Sequence, residues 1–231
     1  IGLNITDSIQ VEHAASCVYV CINEPNGDMT IAVNDMELCN YITPAFLASK
    51  QNRLDEAEAI VVDANIPEES IDYLVQQCKV PVFADAVSAK KAIRLHRSLP
   101  HLCGLKSNQI EVELLTGITI THEHDMSIAA HALHQMGVEY VYITLGGRGA
   151  FASNGITQLF EHPMPSLVVN TTGCGDAFTA ATVVATLDGL ALEAILKMGL
   201  AAAAVCSQSK HAVSEHMCMD AINSYFTEAQ K

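Results

Sequence analysis

The chain has 231 residues, half of them hydrophobic, which is enough for one sizeable core. Its 12 Lys and Arg against 26 Asp and Glu give a net charge of −14, which argues against nucleic acid or an anionic membrane as partner. No apolar run approaches the ~20 residues of a membrane span, no leader pattern is visible, and the eight cysteines form no CxxC pair. They read as reduced thiols, and a cytoplasmic protein is expected. His122 with His124, and His131 with His134, lack a third ligand at metal-binding spacing, so they read as solvated.

In chain order, residues 16–22 and 29–33 alternate as strands around the turn Glu24-Pro25-Asn26-Gly27-Asp28, which predicts a β-hairpin. Pro44 suits the start of a helix, 59–64 a short apolar strand, and Pro67-Glu68-Glu69 a second helix start with acids on its positive end. Strands follow at 80–84 and 102–105, flanking a basic helix over 89–98. Helices are expected over 109–116 and 125–136, and 140–145 is the clearest buried strand. A second hairpin spans 151–160 around Ser153-Asn154-Gly155-Ile156, and Leu167-Val168-Val169 reads as a strand leading into a glycine turn. Beyond residue 175 the chain is helical and rich in alanine.

Apolar strands alternating with helices imply an α/β fold, a doubly wound, mostly parallel sheet with helices on both faces. Residues 1–40 would carry the front hairpin as a small lid, and 41–231 the α/β core. Ligands of such sheets gather beyond the carboxyl ends of the strands, and three segments are expected there. Asn170-Thr171-Thr172-Gly173-Cys174-Gly175-Asp176 frees backbone amides at a helix start, an anion site. An aspartate opposes a bound phosphate unless it serves as the base for an attacking hydroxyl; a plain capped helix start is the alternative. Thr144-Leu145-Gly146-Gly147-Arg148-Gly149 permits close backbone approach to a nucleotide, or is a simple strand-to-hairpin turn. Asn108 and Glu111 either close a capping box or hold the waters of Mg²⁺.

Asn-x-x-Glu (108, 111), Thr-Leu-Gly-x-x-Gly (144–149) and Thr-x-Gly-x-Gly-Asp (171–176) together resemble the ribokinase-like, or PfkB, carbohydrate kinases in order and spacing. The hairpin and Asn170, where most sugar kinases have aspartate, resemble the branch of that family that acts on pseudouridine. The resemblance implies an ATP-dependent phosphotransferase acting on the 5′-hydroxyl of pseudouridine or a related riboside. Another sugar or nucleoside acceptor is an alternative, as is a catalytically silent nucleotide-binding chain. It implies Asp176 as base, with the amides of Gly173, Cys174 and Gly175 as anion hole. Asn108 and Glu111 would position Mg²⁺, while Asn108, Thr144, Gly146, Gly149 and Thr172 would handle ATP, with Ala203 bordering the adenine. Cys174, where alanine is common, would be inert packing, and Asn170 leaves activation by a monovalent cation open. The family's N-terminal strands and sugar-gripping glycine pair, and with them much of the substrate pocket, are expected to be missing from this chain, and the lid hairpin would make a homodimer.

Overall fold

The structure is a computed structural model that describes residues 2–23 and 29–228. Strands β1 (Val18–Asn23) and β2 (Met29–Asp35) pair antiparallel as the front hairpin, and its expected turn, 24–28, lies outside the described residues. Helix α1 (Pro44–Ser49) starts where Thr43 Oγ1 accepts the Phe46 amide at 3.2 Å, with proline at the first position, where its missing N–H costs nothing. Helix α2 is Gln51–Asp55, strand β3 Ile60–Asp63, helix α3 Glu68–Gln77, strand β4 Val82–Asp85 and helix α4 Ala89–Ala92. Strand β5 (Gly104–Asn108), helices α5 (Gln109–Thr116) and α6 (Glu123–Gln135), and strand β6 (Tyr140–Thr144) follow. Strands β7 (Ala150–Ser153) and β8 (Gln158–Glu161) precede helices α7 (Cys174–Leu187), α8 (Leu192–Ser207) and α9 (Met219–Glu228).

One six-stranded sheet runs in the order β3-β4-β5-β6-β7-β8. β3 to β6 are parallel, and β7 and β8 turn back antiparallel. Side chains alternate between two cores. Ile60, Val62, Ala84, Leu105, Val141, Ile143 and Phe151 pack with Ile71, Leu95, Val112 and Leu133 on one face. Tyr142, Ala150 and Ala152 pack with Phe178, Ile195 and Leu196 of α7 and α8 on the other. Helices therefore cover both faces, the doubly wound arrangement expected. α7 and α8 approach closely because position 199 has no side chain: a Cβ there would sit 2.7 Å from the Phe178 ring. No helix among the described residues is long and apolar enough to cross a membrane.

Three elements differ from the sequence expectation. The basic helix of 89–98 is four α residues, then a 3₁₀ turn over Ile93–Leu95, with another at Leu99–His101 around Pro100. Pro100, near the start of the second turn, cannot donate a backbone hydrogen bond to carry a helix through, and Arg94 is drawn aside to donate to the carbonyls of Ala64, Asn65 and Ile66 at 2.9–3.2 Å. β5 runs three residues further than expected, through polar Lys106-Ser107-Asn108. Leu167-Val168-Val169 is not a strand. It crosses the end of α8, bending at Val169, and the amides of Val169 and Asn170 both donate to the Ser207 carbonyl at 2.8 and 3.1 Å. His134 is also not solvated: its ring bonds the Val138 carbonyl at 2.8 Å and Ser153 Oγ at 2.7 Å.

Candidate functional site

The parallel register carries four side chains to one face of the sheet. Asp63 pairs with Asp85, Asp85 with Lys106, and Lys106 with Tyr142, so all four lie on the α7 face. Two residues on, Asn108 is paired with Thr144. The start of α7 sits above this row, joined to it by Thr179. The Thr179 hydroxyl lies between Asp85 Oδ2 at 3.1 Å and the Gly175 carbonyl at 3.0 Å, donating to one at a time. Lys106 Nζ reaches both Asp85 oxygens, at 3.3 and 3.1 Å, and the two side chains are about nine-tenths buried. Asp85 Oδ1 also accepts the Val87 amide at 2.9 Å. Val87 has φ 63°, a conformation a β-branched residue adopts only under constraint, and such constraint gathers at functional sites.

The glycine turn is shaped by α8 and the segment after it. Gly173 caps α7 with φ 87°, and a Cβ there would lie 1.9 Å from the Ala212 carbonyl oxygen, so only glycine fits. Asn170 Oδ1 accepts the Thr172 amide at 2.9 Å, and its Nδ2 donates to the Lys210 carbonyl at 3.3 Å. One member of the expected anion hole is otherwise engaged: the Cys174 amide donates to the Thr171 carbonyl at 3.2 Å. The amides of Gly173, Gly175 and Asp176 have no acceptor among the described residues. An unpaired set of amides at the positive end of a 14-residue helix is an anion receptor. Cys174 faces Cys206, and that contact together with burial pushes its thiol well above the ordinary value. That direction is opposite to the pull of a helix N-terminus.

Asp176, the third residue of α7, is exposed by surface area, yet nearby protein atoms partly desolvate its carboxyl. That desolvation, then the like charge of Asp85, holds its carboxyl above the ordinary aspartate range, while Lys106 pulls it back. A carboxylate raised in this way is a better proton acceptor.

Asn108 and Glu111 form the full capping box. Asn108 Oδ1 accepts the Glu111 amide at 3.0 Å, and the Asn108 amide and Nδ2 donate to the two Glu111 oxygens at 2.7 Å each. Glu111 has no solvent exposure, and burial raises its carboxyl. Each of its oxygens already accepts one bond, so the pair suits Mg²⁺ through water molecules rather than as bare ligands. Among the described residues no three or more His, Cys, Asp or Glu side chains form a metal-holding group.

The Thr144–Gly149 loop divides in two. Gly146 has open space around it, whereas a Cβ on Gly149 would sit 2.0 Å from the Glu161 carbonyl oxygen, so Gly149 is a packing position at β8. Thr144 Oγ1 leans on the Ser107 carbonyl at 3.5 Å, and Arg148 donates to Gln109 Oε1 at 2.6 Å. Ala203 is half-buried on α8, one helical turn before the Ser207 carbonyl that holds the glycine turn. Thr172 meets the hairpin: its hydroxyl is 3.3 Å from Cys21 Sγ. Cys21, Asp85, Lys106 and Thr179 escape a motif-based reading. Signals for two of them were present, as charged residues at the ends of apolar strands.

The pfkB family carbohydrate kinase model matches residues 1–217. The chain is 33% identical over 191 residues to the pseudouridine kinase of Escherichia coli (strain K12), covering 82% of this chain and 61% of that protein. It thus spans about three-fifths of the length of that relative. A solved carbohydrate kinase from Agrobacterium tumefaciens superposes with TM-score 0.73 at 28% identity, covering 90% of this chain and 67% of its own. Arabidopsis thaliana ribokinase, solved with ribose and ATP, shares the fold with TM-score 0.71 at 22% identity, over 90% of this chain and 68% of that one. The chain belongs to the pfkB family of carbohydrate kinases.

Proposed function

We propose that this protein transfers the γ-phosphoryl group of ATP to the 5′-hydroxyl of pseudouridine or a closely related riboside. The observation that carries the reading is the start of α7, where unpaired amides of Gly173 and Gly175 stand beside a carboxylate of raised basicity, Asp176. Asp176 takes the proton of the acceptor hydroxyl. The hydroxyl oxygen then bonds to the γ-phosphorus, and the bond from that phosphorus to the bridging oxygen of the departing ADP breaks. The amides of α7 hold the charge on the transferring group, which positioning and electrostatics stabilise in this chemistry.

Mg²⁺, when bound, neutralises phosphate charge; Asn108 and Glu111 would orient its water shell from the end of β5. Thr144, Gly146 and Thr172 line the path of the phosphates, and Ala203 lies toward the base. The 33% identity to a pseudouridine kinase supports the choice of acceptor. A homodimer through the hairpin is part of the same reading. One hairpin face carries Val20 opposite Val33 and Ile22 opposite Ile31, all exposed, while its other face turns Cys21 to Thr172. A second copy's identical face would cover the apolar one.

The test is ADP release with Mg·ATP over a panel of nucleosides and free sugars. Pseudouridine is expected to give the highest kcat/KM; preference for ribose or for a conventional nucleoside would reassign the acceptor. Asp176→Asn is expected to lower kcat about 10³-fold with Mg·ATP affinity kept within about threefold by calorimetry. Turnover near wild type in that variant would remove Asp176 as the base.

A further inference from the structure

Lys106 has no place in the motifs that bring the family to mind, and its surroundings are unusual. It stands at the polar end of a buried strand with only 11% of its side chain exposed. A buried ammonium is costly unless paired, and its pairing is incomplete. Its ammonium donates one hydrogen bond, to Asp85 Oδ1, and stands in ion-pair contact with Asp85 Oδ2, and no other acceptor among the described residues takes its remaining N–H groups. Its position relative to α7 is close: a Cβ on Gly175 would lie 2.9 Å from Lys106 Nζ. The ammonium therefore occupies the side-chain space of the residue whose own amide is one of the unpaired donors. Asp63, Asp85, Asp176 and Glu111 crowd the same end of the sheet with negative charge. A polyphosphate entering there meets repulsion from these carboxylates unless a cation stands at the point of contact.

We propose that Lys106 is a catalytic residue of the anion site, its ammonium touching the γ-phosphoryl group beside the Gly175 amide while Asp85 holds its stem in place. The inference rests on the nucleotide-site reading above and deepens it. Asp85 keeps the ammonium aligned by one hydrogen bond and an ion-pair contact and is itself fixed by the Val87 amide and Thr179. Thr179 belongs to α7, so the cation and the helix amides are held as one unit. Position 175 is glycine because any side chain would displace the ammonium.

The discriminating measurement is the affinity of the chain for Mg·ATP against Mg·ADP, by calorimetry, in wild type, Lys106→Met and Lys106→Arg. ADP lacks the group Lys106 is assigned to touch. In Lys106→Met the ATP affinity is expected to fall about 30-fold, the loss of one charge-assisted hydrogen bond, with ADP affinity unchanged and partial recovery in Lys106→Arg. A purely structural ion pair would lower both affinities together or neither. If Lys106→Met does not fold, with Asp85 left buried and alone, the double variant Lys106→Met with Asp85→Asn removes both charges and serves the same comparison. An unchanged preference for ATP over ADP in either variant overturns the assignment of Lys106 alone. A wild-type chain that binds neither nucleotide overturns the nucleotide-site reading, and Lys106 with it.

Discussion

The start of α7 and the front hairpin lie against each other, yet they are built on opposite terms. Around α7 the apolar side chains are enclosed by two clusters, and polar groups are linked by short bonds: Asp85 to Lys106, Val87 and Thr179, Glu111 to Asn108. Along β1 and β2 the reverse holds: Val20 is 57% and Val33 67% exposed on a face with no cover from the described residues. A two-stranded ribbon of this kind has little stability of its own, whereas the sheet and its two cores do not depend on it. The start of α7 is thus tied by packing and hydrogen bonds, and the hairpin by few of either.

Four substitutions break or sharpen that contrast. The largest effect is expected of Asp176→Asn, about 10³-fold in kcat with a melting temperature at neutral pH that is kept or raised, because the change removes a charge held at a cost and no packing. Gly173→Ala is next. It forces a side chain into a positive-φ position 1.9 Å from the Ala212 carbonyl oxygen, which should cost about 3 kcal/mol in urea unfolding.

Asp85→Asn tests the electrostatics of the site. Activity requires ionised Asp176, so the rate should rise with pH through a value above the ordinary aspartate range. Taking away the like charge of Asp85 moves that acid limb to lower pH, and a limb that stays put would detach Asp85 from Asp176. The sign for stability is the opposite one. A carboxyl raised in the folded state binds its proton more tightly there than in the unfolded chain. Its contribution therefore falls as pH climbs from the ordinary value through the raised one. The smallest effect on the fold belongs to Val20→Asp with Val33→Asp. These exposed positions should change stability by about 1 kcal/mol or less while sedimentation shows weaker self-association. A loss as large as that of Gly173→Ala would mean that the lid is part of the core after all.

What could be read from the sequence follows the same division. Helix α5 begins and ends where the residues say, because Asn108 and Glu111 satisfy each other and Gly117 takes the left-handed position at its end. The buried strands β3, β4 and β6 were legible from their apolar runs. The sequence reading ends β5 at Leu105 because its last residues are polar: Lys106 lies on the α7 face and Asn108 caps α5, while Ser107 is buried on the opposite face. Leu167-Val168-Val169 has the composition of a strand, but its partner is the Ser207 carbonyl, a contact over some forty residues that local pattern cannot carry. The same holds for Lys106 and Asp85, whose meaning depends on strand register and on which helix lies above.

The attachment of the glycine turn to α8 has a consequence in time as well as in space. Val169 and Asn170 hang on the last carbonyl of that helix, and Gly173 presses on Ala212 just beyond it. The amides of 169 and 170 can exchange with deuterated water only when this junction opens, whatever the sheet beneath is doing. Their protection should therefore track the last turn of α8, residue for residue, and be lost together with it as denaturant is added. If the proposed nucleotide site is correct, the amides of the glycine turn would share the opening frequency of the helix proposed to border the base, and both ends of a nucleotide would be gripped and released by a single motion.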